Sequence, residues 1–153
     1  MNYLSNLNRT KLKNEQCSKT HLSFHKMRQF IKNKEGIPKV NAPISQAVVV
    51  GKHCYISGQL ATDMEGNYVE GDVLEEAKLA FNNIFAIAKA AGFAVSDIVF
   101  VDLAFINLGD VHEINVLYDS LFPENKKPAR TVYQAAALPY GGKIKVTAVA
   151  IKN

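Results

Sequence analysis

The segment that most restricts the fold is "DIVFVDLAFIN", residues 97–107, which is almost wholly apolar and has only Asp102 as a charge in its interior. A β-strand sends alternate side chains to opposite faces of its sheet, so a strand that is apolar throughout must be covered on both faces. The rest of the sequence predicts two helices, which are enough for one covering layer. We therefore predict that other copies of the chain cover the second face, in a closed homo-oligomer.

Two helices are predicted, one on each side of this strand. The first, "GDVLEEAKLAFNNIFAIAKAAG", begins with Asp72 and Glu75 at capping-box spacing and ends at Gly92. The second, "GDVHEINVLYDSLFP", has Asp110 and Glu113 as a second capping box. Each has apolar residues at helical spacing, and in the second helix these are Val111, Ile114, Tyr118 and Leu121.

Several shorter runs have the composition of β-strands. "ISQAVVV" and "CYISGQLAT" form a predicted hairpin with Gly51 in its turn, and "RTVYQAAAL" and "KIKVTAVAI" are two final strands connected by "PYGG". A further short strand before the first helix would give the order β-β-(β)-α-β-α-β-β. The sequence thus predicts an α+β fold, in which two helices pack on one face of a mixed sheet.

The basic character of the chain is confined to its first 40 residues. Residues 1–40 hold nine Lys/Arg and two acids, for a charge of 9 − 2 = +7, whereas residues 41–153 hold nine Lys/Arg and twelve acids, for 9 − 12 = −3. Two interpretations of the basic segment stay open: a disordered extension with Met27 as an alternative start, or an organelle transit peptide. The domain is assigned to residues 41–153, and the chain to the cytoplasm or, with a transit peptide, to mitochondria or another organelle.

Several classes of function are disfavoured by composition. Cys17 and Cys54 form no disulfide framework or zinc-binding pattern, and no metal or cofactor is expected. No apolar run approaches the ~18 residues of a membrane span, which predicts a protein without membrane segments. The acidic balance of residues 41–153 disfavours nucleic acid as a partner.

Arg130 is the strongest candidate for a functional side chain. It is the only arginine after residue 40, and it follows Pro128 at the start of an apolar run. A guanidinium can bind a carboxylate through two parallel hydrogen bonds, which lysine cannot do. The alternative is a structural ion pair with one of the acids of the domain.

Other candidates are weaker. Asn115 lies on or beside the apolar stripe of the second helix, where a buried amide needs partners from the backbone or from a ligand. Ser57 and Gly58 lie within a β-run, where glycine permits a close approach by a ligand or marks a bulge. His53 and His112 are interpreted as solvated, and Cys54 as a small core residue.

These segments resemble a known family. In order and spacing, "APISQAVVVG", "YISGQL", "EEAKLAFNNIFAIAKAAG", "INVLYDSLFP", "PARTVYQAAALP" and "KIKVTAVAI" are similar to the RidA/YjgF family of reactive intermediate deaminases, also called the liver perchloric-acid-soluble protein family. The resemblance covers roughly residues 41 to 152. It implies a chorismate-mutase-like fold and a barrel-like homotrimer with ligand sites in the clefts between subunits.

The resemblance also implies a chemistry and a set of site residues. Members hydrolyse small imines and enamines of the 2-aminoacrylate type to 2-oxo acids and ammonia without a cofactor, so small 2-imino or 2-oxo acids are the expected ligands. Arg130 matches the arginine that grips the substrate carboxylate. The residues that match the rest of the cleft are Ser57, Gly58, Asn115 and Val132, the last through its backbone.

Two positions depart from the family pattern. Ile44 replaces the tyrosine of "GPYSQ", and Lys145 replaces the glutamate of "IEIEA" that orients the attacking water. An ammonium cannot accept a proton from water, so these changes favour carboxylate binding over water activation. Two alternatives to a deaminase therefore stay open: a trimeric small-carboxylate binder or protein-protective module without turnover, and an endoribonuclease or translation inhibitor.

Overall fold

The computed structural model describes residues 28–153, which form one six-stranded sheet and two α-helices. Shorter 3₁₀ turns connect several of these elements. In chain order the elements are β1 Arg28–Ile31, β2 Ala47–Val50, β3 His53–Gln59, α1 Val73–Ala90, β4 Ile98–Phe105, α2 Val111–Leu121, β5 Ala129–Gln134 and β6 Ile144–Ile151.

The sheet is mixed, as predicted, and its strand order is β1-β2-β3-β6-β4-β5. All neighbouring strands are antiparallel except β4 and β5, which are parallel because α2 carries the chain back between them. The two final strands are not neighbours, since β4 lies between them. The predicted hairpin of β2 and β3 is confirmed, with Gly51 at a positive φ of 59° in its turn.

The sheet begins earlier than the sequence pattern indicated. Residues 28–31 fall within the segment assigned to the extension, yet they pair with β2, so that Arg28 is aligned with Val50 and Ile31 with Ala47. The extra strand expected just before α1 is reduced to an isolated bridge between Thr62 and Tyr68. The first 27 residues of the segment assigned to the extension, Cys17 among them, lie outside the described residues.

The capping prediction is confirmed for α1 and wrong for α2. The Glu75 amide donates to Asp72 Oδ1 at 2.8 Å, and the Asp72 amide donates to Glu75 Oε2 at 2.9 Å. Asp110 makes no such bond, because it already has a helical backbone (φ −78°, ψ −10°) at the end of a preceding 3₁₀ turn. An N-cap side chain reaches the free amides from an extended backbone, which Asp110 lacks.

Both helices pack on one face of the sheet, as predicted. On β4 the residues Val101, Leu103 and Phe105 are fully buried on this face, and α1 contacts α2 through the Phe81 and Tyr118 rings, whose centroids are 6.0 Å apart. The other face has no covering layer within residues 28–153, and Tyr55 on β3 is 51% exposed there. The homotrimer remains a prediction that this open face favours.

Cys54 is buried in the core as predicted, and burial raises the pKa of its thiol to about 11. The side chains of His53 and His112 are exposed. Within residues 28–153 there is no group of three His, Cys, Asp or Glu side chains that could hold a metal ion. The described helices include none with the length and apolar content of a membrane span.

Candidate functional site

Arg130 lies on the edge strand β5 and is held from two sides by residues of α2. Its Nη2 donates to Asn115 Oδ1 at 2.8 Å, and its guanidinium carbon lies 4.6 Å from the centroid of the Tyr118 ring. The Tyr118 hydroxyl in turn donates to the Pro128 carbonyl at 3.3 Å, which links the helix to the start of the strand. A cation–π contact and an amide acceptor fix the position of the guanidinium without neutralising its charge.

Within residues 28–153, the structural ion pair that was the alternative for Arg130 is not formed. The ion pairs among residues 28–153 are Lys127–Asp119 at 2.6 Å and Lys143–Glu76 at 3.1 Å. Asn115 is exposed rather than buried, and within the described part of the chain its side-chain oxygen is used by Arg130. Asn115 therefore holds the arginine side chain, whereas the sequence had left backbone and ligand partners open for this amide.

These residues line a cavity of about 300 Å³, which we call the Arg130 cavity. Burial raises the pKa of Tyr118 above its ordinary value, while the charge of Arg130 acts in the opposite direction. The phenol is thus neutral near pH 7 and remains a hydrogen-bond donor. The cavity is lined by Asn115, Tyr118, Asp119, Lys127, Pro128 and Arg130.

A second cavity, of about 270 Å³, contains three of the other predicted site residues. Ile44, Gly58 and Lys145 all line it, together with Lys39 and Tyr140, and we call it the Lys145 pocket. The sequence assigned Lys39 to the basic extension and attached no role to Tyr140. The signal for Tyr140 in the sequence is its place in the "PYGG" turn. In the structure Tyr140 has a positive φ of 61°, which is uncommon for a residue other than glycine.

Lys145 lies directly over Gly58. The register of β3 against β6 shifts between Ile56 and Gln59, so Gly58 lies in a bulge, and a Cβ at this position would overlap Lys145 Cε. Ser57 lies next to the pocket without lining it, since its hydroxyl donates to the Ser45 carbonyl at 2.7 Å. The sequence left a close approach and a bulge open for Gly58, which lies in a bulge under Lys145, and Ser57, expected to line the cleft, lies one position from this pocket.

Two buried polar side chains hold the walls of the Lys145 pocket. Gln46, only 2% exposed, donates to the Pro38 carbonyl at 2.6 Å and accepts from the Asn33 amide at 2.8 Å. Glu76, only 1% exposed, accepts from the Tyr68 hydroxyl and from both nitrogens of Lys143. These bonds fix the segment before β2 and the turn before β6.

The two cavities lie on opposite faces of the sheet. Arg130 is aligned with Val101 of β4, which points to the helices, and Lys145 is aligned with Ala104, three residues further along the same strand. Because side chains alternate, an odd separation places them on opposite faces. Val132, two residues after Arg130, is half-buried and packs against the core on the helix side. One copy of the chain therefore does not bring Arg130 and Lys145 into one site.

Comparison with known proteins identifies the family. A family model described as Endoribonuclease L-PSP matches residues 34–152. The human protein named 2-iminobutanoate/2-iminopropanoate deaminase is 42% identical over 117 residues, which are 76% of this chain and 85% of that protein. The chain belongs to the RidA/YjgF family.

Solved structures agree with this assignment. RidA from the Antarctic bacterium Psychrobacter sp. PAMC 21119 is 35% identical, with a TM-score of 0.75 over 81% of this chain and 99% of that one. Escherichia coli TdcF, solved with bound serine, is 29% identical, with a TM-score of 0.73 over 82% of this chain and all of that one. The RidA-type α+β fold predicted from the sequence is confirmed.

Proposed function

We propose that this chain hydrolyses small 2-imino acids and their enamine forms to 2-oxo acids and ammonia. The observation that carries the proposal is the Arg130 guanidinium, which Asn115 and Tyr118 hold at a cavity and which has no carboxylate partner within residues 28–153. A substrate carboxylate fits this charge through a pair of parallel hydrogen bonds. The 42% identity to a human protein named as such a deaminase supports the same reaction.

The reaction needs neither a redox step nor a covalent intermediate with the protein. The oxygen of a water molecule adds to the imine carbon, the carbon–nitrogen bond breaks, and the nitrogen leaves as ammonia with the two protons of the water. The protein's contribution is to hold the imino acid by its carboxylate while water attacks, because positioning alone lowers the entropic part of the barrier. Arg130 is the residue that touches the substrate.

We further propose that the complete site forms between copies of the chain in a homotrimer. One copy would supply Arg130, Asn115 and the backbone at Val132, and the neighbouring copy would supply Ile44, Gly58 and Lys145, with Ser57 behind them. The placement of Arg130 and Lys145 on opposite faces of one sheet supports this arrangement. So does the open, partly apolar face, which a second copy would cover.

One observation favours a second candidate, a carboxylate-binding protein without turnover. Lys145 lines its pocket beside Gly58, and an ammonium group cannot take a proton from the attacking water. The Arg130 cavity would then still bind 2-oxo acids. Calorimetry with 2-oxobutanoate, beside an assay of turnover, separates the two candidates, since the second predicts binding alone.

The deciding experiment generates 2-iminobutanoate from threonine with a dehydratase and follows the loss of the imine. We expect micromolar protein to accelerate this loss above the rate in buffer. The matched control is Lys78→Met, which removes a charge from the exposed side of α1 away from both cavities and should keep the activity. A rate equal to that in buffer, for the folded protein and the control variant alike, rejects the deaminase.

A further inference from the structure

The Lys145 pocket carries positive charge without any acidic residue in its lining. Lys39 and Lys145 both line it, and its other lining residues are apolar or neutral polar, without a single Asp or Glu. Residues 28–153 hold thirteen Lys/Arg and thirteen acids, so this local excess is not a property of the whole surface. A concave site lined by two lysines and no acidic residue favours an anionic ligand.

Lys145 is placed in the pocket by the backbone around it. The lysine side chain lies over Gly58 in the bulge, where a Cβ would displace the end of the lysine from its position. Among residues 28–153 its ammonium has no carboxylate within ion-pair distance and no hydrogen-bond acceptor in the protein, whereas Lys127 and Lys143 both have ion-pair partners. The side chain is half-buried on β6, so the charge is partly withdrawn from water.

The rest of the lining fits an organic anion better than an inorganic one. Ile44 and Leu60 provide apolar wall, and the Tyr140 ring stands beside them, stacked on Tyr68 with centroids 6.0 Å apart. Glu76 anchors Tyr68 and the turn that carries Tyr140, so this wall is held in place from the core. A short carbon chain that ends in a carboxylate would contact both the apolar wall and the ammonium groups.

We propose that the Lys145 pocket binds a carboxylate, and that the substrate of this chain is therefore a dicarboxylic 2-imino acid. The second half of this statement rests on the proposed function, in which Arg130 of one copy binds the carboxylate next to the imine. Lys145 of the neighbouring copy then binds the carboxylate at the far end of the substrate. The lysine thus acts as a specificity-determining residue rather than as a group that activates water.

The test compares 2-oxo acids of equal carbon chain that differ at one end. Calorimetry on the full chain measures 2-oxopentanedioate against 2-oxopentanoate, and 2-oxohexanedioate against 2-oxohexanoate. We expect the diacid of at least one pair to bind about tenfold more tightly, as for one additional charge-assisted hydrogen bond. The preference should decrease with added salt because it depends on charge.

Variants assign the preference to the pocket. Lys145→Met keeps the length of the stem and removes the charge, and it should bring the ratio of the two affinities close to one. Lys78→Met, which removes a charge from the exposed surface of α1, should leave the ratio unchanged. Equal binding of diacid and monoacid, or a preference that survives Lys145→Met, overturns the inference.

The two proposals fail in different ways. Should the diacid preference depend on Lys145 while no imine is hydrolysed and Arg130→Met leaves both affinities intact, the proposed function is wrong and the anion pocket stands. Should monoacid imines be hydrolysed with dependence on Arg130 and without any diacid preference, the proposed function stands and the pocket inference is wrong.

Discussion

The Arg130 cavity and the Lys145 pocket belong to the same sheet, yet they differ in how their cations are held. Arg130 is fixed by a hydrogen bond to Asn115 and by the Tyr118 ring, both on one neighbouring helix. Lys145 is placed by a glycine bulge on the adjacent strand, and the walls around it are held by the buried side chains of Gln46 and Glu76. The planar guanidinium of arginine suits a carboxylate in a fixed position, whereas the flexible ammonium of lysine suits a ligand group whose position varies.

The difference also separates what the chain shares with its family from what it does not. By resemblance, the Arg130 cavity keeps the expected arginine and asparagine, and the Lys145 pocket has lost the expected tyrosine and glutamate. Binding of the common part of the substrate would then be retained in the first cavity, while the second determines which substrate is accepted. Three further predictions test this division, from the largest expected effect to the smallest.

The largest effect is expected from Arg130→Lys, which keeps the positive charge and removes the planar guanidinium with its two parallel donors. One of two charge-assisted hydrogen bonds to the carboxylate is lost or misdirected, at a cost of about 1.5 to 3 kcal/mol. At about 1.4 kcal/mol per tenfold, imine turnover or 2-oxobutanoate binding should fall about ten- to a hundredfold. The measurement is kinetics or calorimetry on the purified variant, with the oligomeric state checked by light scattering.

Lys127→Met is the matched control for this variant. It removes a neighbouring cation of the same cavity whose partner is the exposed Asp119, so its ion pair contributes at most about 1 kcal/mol to stability. We expect a smaller loss of 2-oxobutanoate binding than for Arg130→Lys. Equal losses for the two variants would show that the cavity attracts anions by net charge and that the geometry of the Arg130 guanidinium has no special role.

The second prediction concerns Glu76→Gln, which should affect the Lys145 pocket and spare the Arg130 cavity. The Glu76 carboxylate accepts three hydrogen bonds, one from Tyr68 and two from Lys143. The glutamine side chain has a single oxygen to accept them, and its NH₂ group would face at least one of these donors. A buried donor that loses its acceptor costs about 1 to 3 kcal/mol, and because Lys143 is 38% exposed and can regain water, we expect the lower half of this range. Chemical denaturation measures the loss of stability.

The same variant sharpens the comparison when ligand binding is measured. Because Glu76 anchors the turn that carries Tyr140, the preference for diacids should weaken in Glu76→Gln. Monoacid binding at Arg130 should change less, since no side chain of that cavity contacts Glu76. Glu124→Gln, in the exposed turn before β5 and outside the lining of both cavities, serves as the control for charge. Equal weakening of both ligands would mean that the two cavities are not independent.

Sequence analysis predicted the fold better than it predicted the site. The first helix was predicted with both of its caps, because the capping box of Asp72 and Glu75 and the stop at Gly92 are local signals. Strand β1 was missed, because three of its four residues are exposed and it lies in a basic segment. The error at Asp110 arose because spacing alone does not show whether the residue before a helix is extended or already helical.

For the candidate site, residues could be named from the sequence, whereas their arrangement could not. Arg130 was recognised because it is the single arginine after residue 40, and Gly58 because glycine within a strand indicates a close approach. The placement of Arg130 and Lys145 on opposite faces depends on the insertion of β6 between β3 and β4, which is a non-local pairing. Tyr118 was assigned to the core alone, although its spacing of three residues from Asn115 on a helix places the two on one face.

The smallest effect is expected from alkaline titration of the tyrosines that stand near the two cavities. Burial, the hydrogen bond to Glu76 and the charges of Glu76 and Glu70 raise the pKa of Tyr68 from 10 to about 12. The folded state thus favours the neutral phenol, so this contribution to stability is fully present below pH 10 and is lost as the pH rises to about 12. The ultraviolet absorbance of tyrosinate and the denaturation midpoint, both recorded across this range, should change together.

Tyr68→Phe should make the midpoint less sensitive to pH between 10 and 12, whereas Tyr133→Phe, on the exposed edge strand, should not. Because Tyr68 is half-exposed, solvent screens part of the effect, and a shift of the midpoint smaller than that of Glu76→Gln is expected. If Tyr68→Phe leaves the alkaline sensitivity unchanged, Glu76 does not anchor the wall of the Lys145 pocket through this phenol, and the pocket would depend on the two nitrogens of Lys143 alone.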